Sequence, residues 1–342
     1  MVNRSGVPEP HMVSYAPKHY LCRRATESLV LDGKLDKPFW QHAAWTEKFV
    51  DIEGDLRPMP GKDTRVKMLW DDEYFYFGAE LMEDQIWGTL AERDSVIFYD
   101  NDFEIFIDPT GDSHQYYEFE INALNTVWDL LLVKPYRDGG PPINGWDIQG
   151  LKTAVHIEGE LNNPHADNRK WTVEVAIPWN SLKECATDRR SPYAGEFWRV
   201  NFSRVEWRTE VVDGKYRKLL NPDTGKPYPE DNWVWSPQGI INMHYPELWG
   251  YVVFVNEAGP YHFDIPRDEH IKWELRKLYY RERNYYETHG MFTAHFNALC
   301  EEDTWTIEPN IETTTKTFII SASTSDETSR LYIREDGFLW KE

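Results

Sequence analysis

The 342-residue sequence is poor in cysteine, in basic residues and in long apolar runs, and each shortage excludes a class of protein. Its three cysteines, Cys22, Cys185 and Cys300, are too widely spaced for a zinc motif or a convincing disulfide framework. The 37 basic and 58 acidic side chains give a net charge of -21, which disfavours binding to nucleic acid. No uncharged apolar run approaches the roughly 18 residues of a membrane-spanning helix. We therefore expect neither nucleic-acid binding nor a membrane-spanning segment.

Aromatic residues are abundant instead, with 16 Trp, 19 Tyr and 16 Phe. Most of these rings must be core, because so many large apolar side chains can bury a large interior. Exposed rings flanked by Asn, Asp, Glu or Arg are also what a sugar-binding surface requires. The C–H groups of a sugar stack on a ring, and its hydroxyl groups need planar hydrogen-bonding partners.

Short β-rich segments separated by turn signals fill the chain before residue 260. In residues 171–179, for example, Trp171, Val173, Val175 and Ile177 recur with the period of two that is typical of a strand. About nine or ten such segments, with almost no helix between them, are best buried by two stacked antiparallel sheets. We predict a mainly β protein, an antiparallel β-sandwich, preceded by an extended N-terminal arm over residues 1–24.

The pattern changes near residue 260. Pro266 and the acidic residues after it favour a helix start, and apolar residues then recur at helical spacing until Gly290. We predict a long helix over about 266–289 and then strands, which together form a small α+β appendage over residues 260–342. The segment WELRKLYYRERNYYETHGMFT resembles, with less specificity, the long-helix-plus-sheet units of pilin-like proteins. Such a unit can mediate assembly or hold a protein partner.

An acidic cluster over residues 100–112 is the densest polar feature of the predicted strands. In a strand, Asp102, Glu104 and Asp108 share one face, so two or three carboxylates can converge there. Carboxylate oxygens suit Ca²⁺ or the hydroxyl groups of a sugar, whereas a solvated strand face is the alternative. We name Asp102, Asp108 and Asp112 as the candidate calcium site, and Ca²⁺ is the one cofactor we consider.

Sequence motifs of the common catalytic classes are absent, including GxSxG, HExxH, the P-loop and GxGxxG. Paired carboxylates for glycoside hydrolysis cannot be identified by spacing, because the two acids come from different strands. We therefore assign no catalytic residue and favour a binding protein. A glycoside hydrolase that cleaves O-glycosyl bonds with acids such as Asp102 and Glu104 is the alternative.

Residues 197–210 form a second polar segment. Arg204 and Trp207 can place a guanidinium group beside an indole ring, a combination suited to hydroxyl or carboxylate groups. The alternative is an edge on which Arg204 pairs with Glu206 and Glu210.

Six segments follow the order and spacing of the carbohydrate-binding module family 9 (CBM9). They are LDGKLDKPFWQHAAW (31–45), TRVKMLWDDEYFYFGAEL (64–81), NDFEIFIDPTGD (101–112), YYEFEIN (116–122), WTVEVAIPW (171–179) and WSPQGIINMHYPELWG (235–250). The resemblance covers about residues 25–256 and implies a β-sandwich similar to the sugar- and haem-binding DOMON group. In the characterised xylanase modules of this family, two Trp rings clamp the terminal sugars of glucan and xylan chains, and Ca²⁺ is a structural ion.

By position, the hydroxyl-binding Glu and Asn of the family fall at Glu104 and Asn122. The first clamp Trp falls at Phe98, next to Tyr99, and the second falls near Met243 and His244. The family's Arg is Glu120 here, so this chain does not reproduce the two-Trp clamp. Other tryptophans, Trp146 among them, can supply replacement platforms. Our candidate carbohydrate-binding residues are Phe98, Tyr99, Glu104, Asn122, Trp128, Arg204, Trp207, Trp235 and His244.

The resemblance implies a non-catalytic protein that binds an oligo- or polysaccharide of the glucan or xylan type and acts in carbohydrate catabolism. Haem binding through Met68, Met243 or His244, and a structural or assembly role, are further alternatives. The first 13 residues lack the apolar stretch of a signal peptide, so the protein is cytosolic or its signal has been removed. We expect an extracytoplasmic protein (periplasmic, outer-membrane-associated or secreted), with the cytoplasm as the alternative.

Overall fold

The computed structural model describes residues 6–11, 14–256, 259–300 and 304–342. Within them, the first ten strands are β1 His19–Arg24, β2 Val50–Asp51, β3 Thr64–Trp70, β4 Tyr74–Met82, β5 Asp102–Asp108, β6 Tyr116–Asn122, β7 Val127–Leu132, β8 Pro142–Ile143, β9 Lys152–Glu158 and β10 Lys170–Pro178. The other nine are β11 Phe197–Glu206, β12 Thr209–Val212, β13 Lys215–Lys218, β14 Asp231–Val234, β15 Gly250–Val255, β16 Asn310–Thr313, β17 Phe318–Ser323, β18 Arg330–Arg334 and β19 Leu339–Lys341. The α-helices are α1 Trp179–Leu182, α2 Arg267–His289 and α3 Phe296–Leu299. Short 3-10 helices span Pro38–Trp40, Gly54–Leu56, Ile97–Tyr99, Tyr136–Asp138, Thr187–Arg189 and Pro246–Leu248.

Thirteen strands form one continuous, curled sheet in the order β8-β7-β6-β5-β11-β15-β1-β3-β4-β10-β9, with β14 paired to β11 and β2. The predicted mainly β, sandwich-like class is confirmed. The two layers are not separate antiparallel sheets, however, because β1 joins them by pairing in parallel with both β15 and β3. This strand belongs to the predicted N-terminal arm, and its side chains Tyr20 and Cys22 are buried in the main core.

Side chains of β5 alternate between two buried faces of the sheet. Phe103, Ile105 and Ile107 lie in the main core. On the opposite face, Phe106 packs in a smaller apolar cluster with Trp249 and Met243. All seven residues of β5 are buried, so its acidic face is not the solvated strand face that we considered as the alternative.

Helix α2 confirms the predicted long helix and ends at Gly290, whose φ of 71° lies in the left-handed region that suits glycine. Its apolar residues, Leu275 and Leu278 among them, pack against the small sheet β16-β17-β18-β19. Val7 and Leu248 complete the same core, so the appendage shares its interior with earlier parts of the chain. Across the described residues, no helix is long and apolar enough to cross a membrane.

Buried polar contacts join α2 to the large sheet. The guanidinium group of Arg283 lies 2.7 Å from the carboxylate of Asp138, at the end of a 3-10 helix that precedes β8. At the start of α2, Glu269 lies 3.3 Å from Arg199 of β11 and accepts a hydrogen bond of 3.0 Å from the Tyr251 hydroxyl. These contacts fix the helix against the sheet. The pilin-like resemblance and the assembly role of residues 260–342 stay predictions.

Candidate functional site

A cavity of about 250 Å³ opens on the polar face of β5 and β6. Glu104, Glu118 and Glu120 project from these strands into it, because residues two apart in a strand share a face. The rest of its lining is mixed apolar and polar. It consists of Ile52, Phe98, Phe106, Val205, Glu230, Asn232, Ile241, Asn242, Met243 and His244.

Glu104, Glu118 and Glu120 line this cavity, and Asp102 lies beside Glu104 and Glu120. Each of these four acidic side chains is at most 6% exposed. The carboxylate oxygens of Asp102, Glu104 and Glu120 all lie within 4.8 Å of one another. Glu104 and Glu120 are direct cross-strand partners, and Glu118 is the next residue of β6 on the same face. In the described part of the chain, none of the four forms an ion pair with a lysine or arginine.

Burial among like charges shifts the protonation of these acids. Burial raises the pKa of Glu104 to about 7. Burial first, and the charge of Glu104 second, hold the pKa values of Asp102, Glu118 and Glu120 well above their usual range. Four carboxylates in so small a volume repel one another unless protons or a cation compensate their charge.

Few hydrogen bonds reach this floor. Asp102 Oδ1 accepts one from the Val205 N–H at 3.3 Å, and Glu120 Oε2 accepts one from the Phe98 N–H at 3.0 Å. Asp102 Oδ2, Glu118 Oε2 and Ser203 Oγ are buried without a hydrogen-bond partner. Buried polar atoms are nearly always paired in folded proteins, so these three atoms mark where a ligand can bind.

Aromatic rings border the cavity. Phe98 lies in the 3-10 helix Ile97–Tyr99, with its ring centroid 4.8 Å from that of Tyr99 and 6.5 Å from that of Trp128. Tyr99 is 54% exposed, and Trp128 is the cross-strand partner of Glu120. The structure therefore brings Phe98, Tyr99, Glu104 and Trp128 together, as the candidate set requires.

His244 forms the opposite wall of the cavity. The backbone N–H of His244 donates to Asn242 Oδ1 at 2.8 Å, and its imidazole Nδ1 lies 2.8 Å from the Tyr116 hydroxyl. The indole N–H of Trp249 donates to the Met243 carbonyl at 2.9 Å, which fixes the same loop. Burial lowers the pKa of His244 to about 3, so its imidazole is neutral near pH 7 and brings no positive charge to the acidic floor.

Asn122 and Trp235 are buried away from the cavity. The Asn122 amide donates to the Leu90 carbonyl at 2.8 Å and to the Asp100 carboxylate at 3.0 Å, so it serves the loop between β4 and β5. Trp235 lies in the main core and donates its indole N–H to Glu47 at 3.0 Å. Neither side chain is among the residues that line the cavity.

Arg204 lies on the other face of β11, since its cross-strand partner is the core residue Phe103. Its buried guanidinium group bonds to Glu83 at 2.6 Å and to Glu206 at 2.9 Å, so the ion-paired alternative for this segment is correct with respect to Glu206.

Trp207, just after β11, supports Phe98 from behind by donating its indole N–H to the Phe98 carbonyl at 2.8 Å. The ammonium group of Lys218 covers its ring, 3.3 Å from the centroid.

The predicted calcium set is not assembled. Asp102 and Asp108 stand at opposite ends of β5, and six residues of extended strand span about 20 Å. The Asp108 carboxylate instead accepts the N–H groups of Gly111 and Ser113, each at 2.9 Å, and Asp112 accepts that of His114 at 2.8 Å. The carboxylates that meet Asp102 are those of Glu104 and Glu120.

The three candidate haem ligands do not lie together. Met68 is buried in the main core, whereas Met243 and His244 line the cavity on the other side of the sheet.

Glu118, Phe106 and Ser203 lie at or beside the cavity but are not among the candidate site residues. Glu118 has a signal in the strand period, since it stands two residues before Glu120. Ser203 has none, because only the register of β11 against β5 places it beside Glu104.

Residues 31–192 match the family described as carbohydrate family 9 binding domain-like. Among curated proteins, a valine–tRNA ligase of Sulfolobus acidocaldarius is 26% identical over 160 residues, which are 44% of this chain and 18% of the ligase. The exoglucanase XynX of Acetivibrio thermocellus is 26% identical over 154 residues, which are 45% of this chain and 12% of that enzyme. The chain thus spans less than a fifth of these relatives.

Among solved structures, a protein of Bacteroides uniformis that is provisionally assigned as carbohydrate-binding has a similar fold. The likeness has a TM-score of 0.50 at 13% identity, and it covers 70% of this chain and all of that one. This level of similarity shows the fold alone. Residues 31–192, a little less than half of the chain, are similar to the carbohydrate family 9 binding domain-like family.

Proposed function

We propose that this protein binds a carbohydrate in the cavity on the polar face of β5 and β6. The observation that carries this proposal is the position of Glu104, which lines the cavity together with Phe98 in the part of the chain that matches a carbohydrate-binding family. Carboxylates accept hydrogen bonds from hydroxyl groups, and aromatic rings stack on the C–H groups of a sugar.

The proposed ligand is the end of an oligo- or polysaccharide of the glucan or xylan type. A cavity of about 250 Å³ is below the range of roughly 300–1,000 Å³ that is usual for ligand pockets, so it suits one terminal sugar better than a length of chain. One stacked ring and several hydrogen bonds, each worth roughly 0.5–1.5 kcal/mol net, correspond to a Kd of about micromolar to millimolar.

We place this binding in carbohydrate catabolism outside the cytoplasm. The match to the exoglucanase XynX supports such a setting, although the shared segment is only 12% of that enzyme. The proposed role is therefore attachment to a glycan rather than cleavage of it.

A glycan array, followed by calorimetry on the best ligands, tests the proposal. We expect saturable binding that weakens at least tenfold in Phe98→Ala and in Glu104→Gln. Tyr193→Ala is the matched control, because it removes an exposed ring that does not line the cavity. Failure of the folded protein to bind any glycan, or equal binding by the Phe98 and Glu104 variants, would refute the proposal.

A further inference from the structure

We infer that Asp102, Glu104 and Glu120, with Glu118 and Ser203 beside them, form a binding site for Ca²⁺ at the floor of the cavity. The sequence predicted calcium at a different set, Asp102, Asp108 and Asp112. The role that this ion would have in sugar binding rests on the proposed function; the ion site itself does not.

The distances between the carboxylates fit one ion. Oxygens of Asp102, Glu104 and Glu120 all lie within 4.8 Å of one another. Ca²⁺ binds carboxylate oxygens at about 2.3–2.6 Å, so two oxygens on opposite sides of one ion are about 4.6–5.2 Å apart. A single Ca²⁺ can therefore contact all three side chains.

Among the described residues, no lysine or arginine offsets the negative charge of the four carboxylates. A second acidic group, Asp94, Asp129 and Asp147, shows the contrast, because Arg93 bonds to both Asp129 and Asp147 there. At the cavity floor, no described lysine or arginine forms such a pair with any of the four acids. Burying several negative charges without compensation is costly, and a divalent cation removes most of that cost.

Unpartnered atoms next to the three carboxylates provide a separate indication. Glu118 Oε2 and Ser203 Oγ are buried and have no hydrogen-bond partner. Glu118 lines the same cavity, and Ser203 is the cross-strand partner of Glu104, so both side chains lie on the face that carries the cluster. These oxygens extend the site beyond the three acids and give it the all-oxygen character that Ca²⁺ prefers.

The protein supplies fewer ligands than the ion needs on the open side. Ca²⁺ takes 6–8 oxygen ligands, whereas three carboxylates and their two neighbours provide about five. The remaining positions face the cavity, where water or two adjacent hydroxyl groups of a sugar can fill them. The proposed sugar would then bind partly through the ion, which supplies a positive charge to the acidic floor of the cavity.

Calorimetric titration of the chelator-treated full chain with Ca²⁺ tests the ion site without any sugar. A parallel titration with Tb³⁺ reports the site through luminescence excited by nearby aromatic rings. We expect one site that weakens at least tenfold in Asp102→Asn and in Glu104→Gln. Asp147→Asn is the matched control, since it removes a carboxylate from the group that Arg93 compensates.

Two results would overturn the ion site. One is a folded wild-type protein that binds neither Ca²⁺ nor Tb³⁺, and the other is unchanged binding in both Asp102→Asn and Glu104→Gln. Thermal denaturation shows whether each variant is folded. A Ca²⁺-dependent rise of the midpoint in wild type, absent in folded Glu104→Gln, would support the site independently of calorimetry.

Glycan binding with and without a chelator separates the two proposals. Calcium binding without binding of any glycan supports the ion site and refutes the proposed function. If the protein binds calcium and still binds the glycan in chelator, both sites are supported. The proposal that the sugar binds through the ion is then refuted. In Phe98→Ala we expect weaker glycan binding with unchanged calcium binding, because the ring borders the cavity and offers no oxygen ligand.

Discussion

The substitution Asp138→Asn is expected to destabilise the junction between helix α2 and the large sheet. Asp138 and Arg283 are both buried, and Asp138 Oδ1 lies 2.7 Å from Arg283 Nη1. The same oxygen accepts the Tyr279 hydroxyl at 2.5 Å. Asparagine keeps the shape and one acceptor oxygen but removes the charge, so the guanidinium group of Arg283 loses its charged partner.

The expected magnitude follows from the burial of this pair. Removing one partner of a buried ion pair costs about 3–5 kcal/mol, because the other charge stays in a low-dielectric interior. Arg283 keeps hydrogen bonds to the Glu335 carbonyl at 3.1 Å and to the Arg137 carbonyl at 3.2 Å, which favours the lower end of this range. At about 2 °C per kcal/mol for a large domain, a loss of about 3 kcal/mol should lower the unfolding midpoint by about 6 °C.

Thermal and urea denaturation, followed by circular dichroism and tryptophan fluorescence, measure this loss. The double variant Asp138→Asn, Arg283→Met should recover part of the stability, since it removes the charge of Arg283 from the interior, whereas Arg137, which also contacts Asp138, keeps its ion pair with Glu247. Asp167→Asn is the control, because it breaks an exposed ion pair with Arg169 and should leave the midpoint unchanged. A loss below about 1 kcal/mol in Asp138→Asn, or simple additivity in the double variant, would refute the reasoning.

Three further predictions concern the site, the main core and the appendage. The folded-state pKa of Glu104, about 7, lies above its ordinary value of about 4.3, so stability from its protonated form is full below roughly pH 4.3 and is lost as the pH rises through 7. In chelator the melting temperature should therefore fall between pH 5 and 8, and Glu104→Gln should reduce that fall; equal slopes would contradict it. Gly250→Ala places a Cβ 2.4 Å from a ring carbon of Trp235 and should cost about 1–3 kcal/mol in urea denaturation, whereas Gly145→Ala meets no atom within 4 Å and serves as the control. Leu278→Ala, in the buried face of α2, should cost about 2–5 kcal/mol by the same assay, and an unchanged midpoint would show that the appendage unfolds separately.

Local pattern alone was enough to predict several elements of this fold. The period of two in residues 171–179 corresponds to β10, and the helical spacing after Pro266 corresponds to α2. These predictions succeed because burying one face of a strand or helix imposes a periodicity that can be read along the chain. The resemblance of six segments identified the domain, and the strand period placed Glu104 on the face that lines the cavity.

The local pattern could not predict which strands, distant in the chain, pair with one another. The parallel pairing of β1 with β15 and β3 leaves no hairpin signal, so residues 19–24 were assigned to an arm. The alternation that placed Asp102 and Asp108 on one face says nothing of the length of strand that separates them. Likewise, the register of β11 against β5 pairs Ser203 with Glu104 and Arg204 with the core residue Phe103, so Arg204 lies on the face away from the cavity.

The sequence by itself therefore determined that this chain is an acidic, mainly β protein that resembles carbohydrate family 9 modules and continues into a helical appendage. Only the tertiary structure decided that Asp102 meets Glu104 and Glu120 and that Glu118 joins them. Among the described residues, it also left the four acids without an ion pair to a lysine or arginine. The physical reason is that charge compensation depends on which strands are neighbours and in what register. Those relations arise when the sheet closes around its core, and no short segment of the chain contains them.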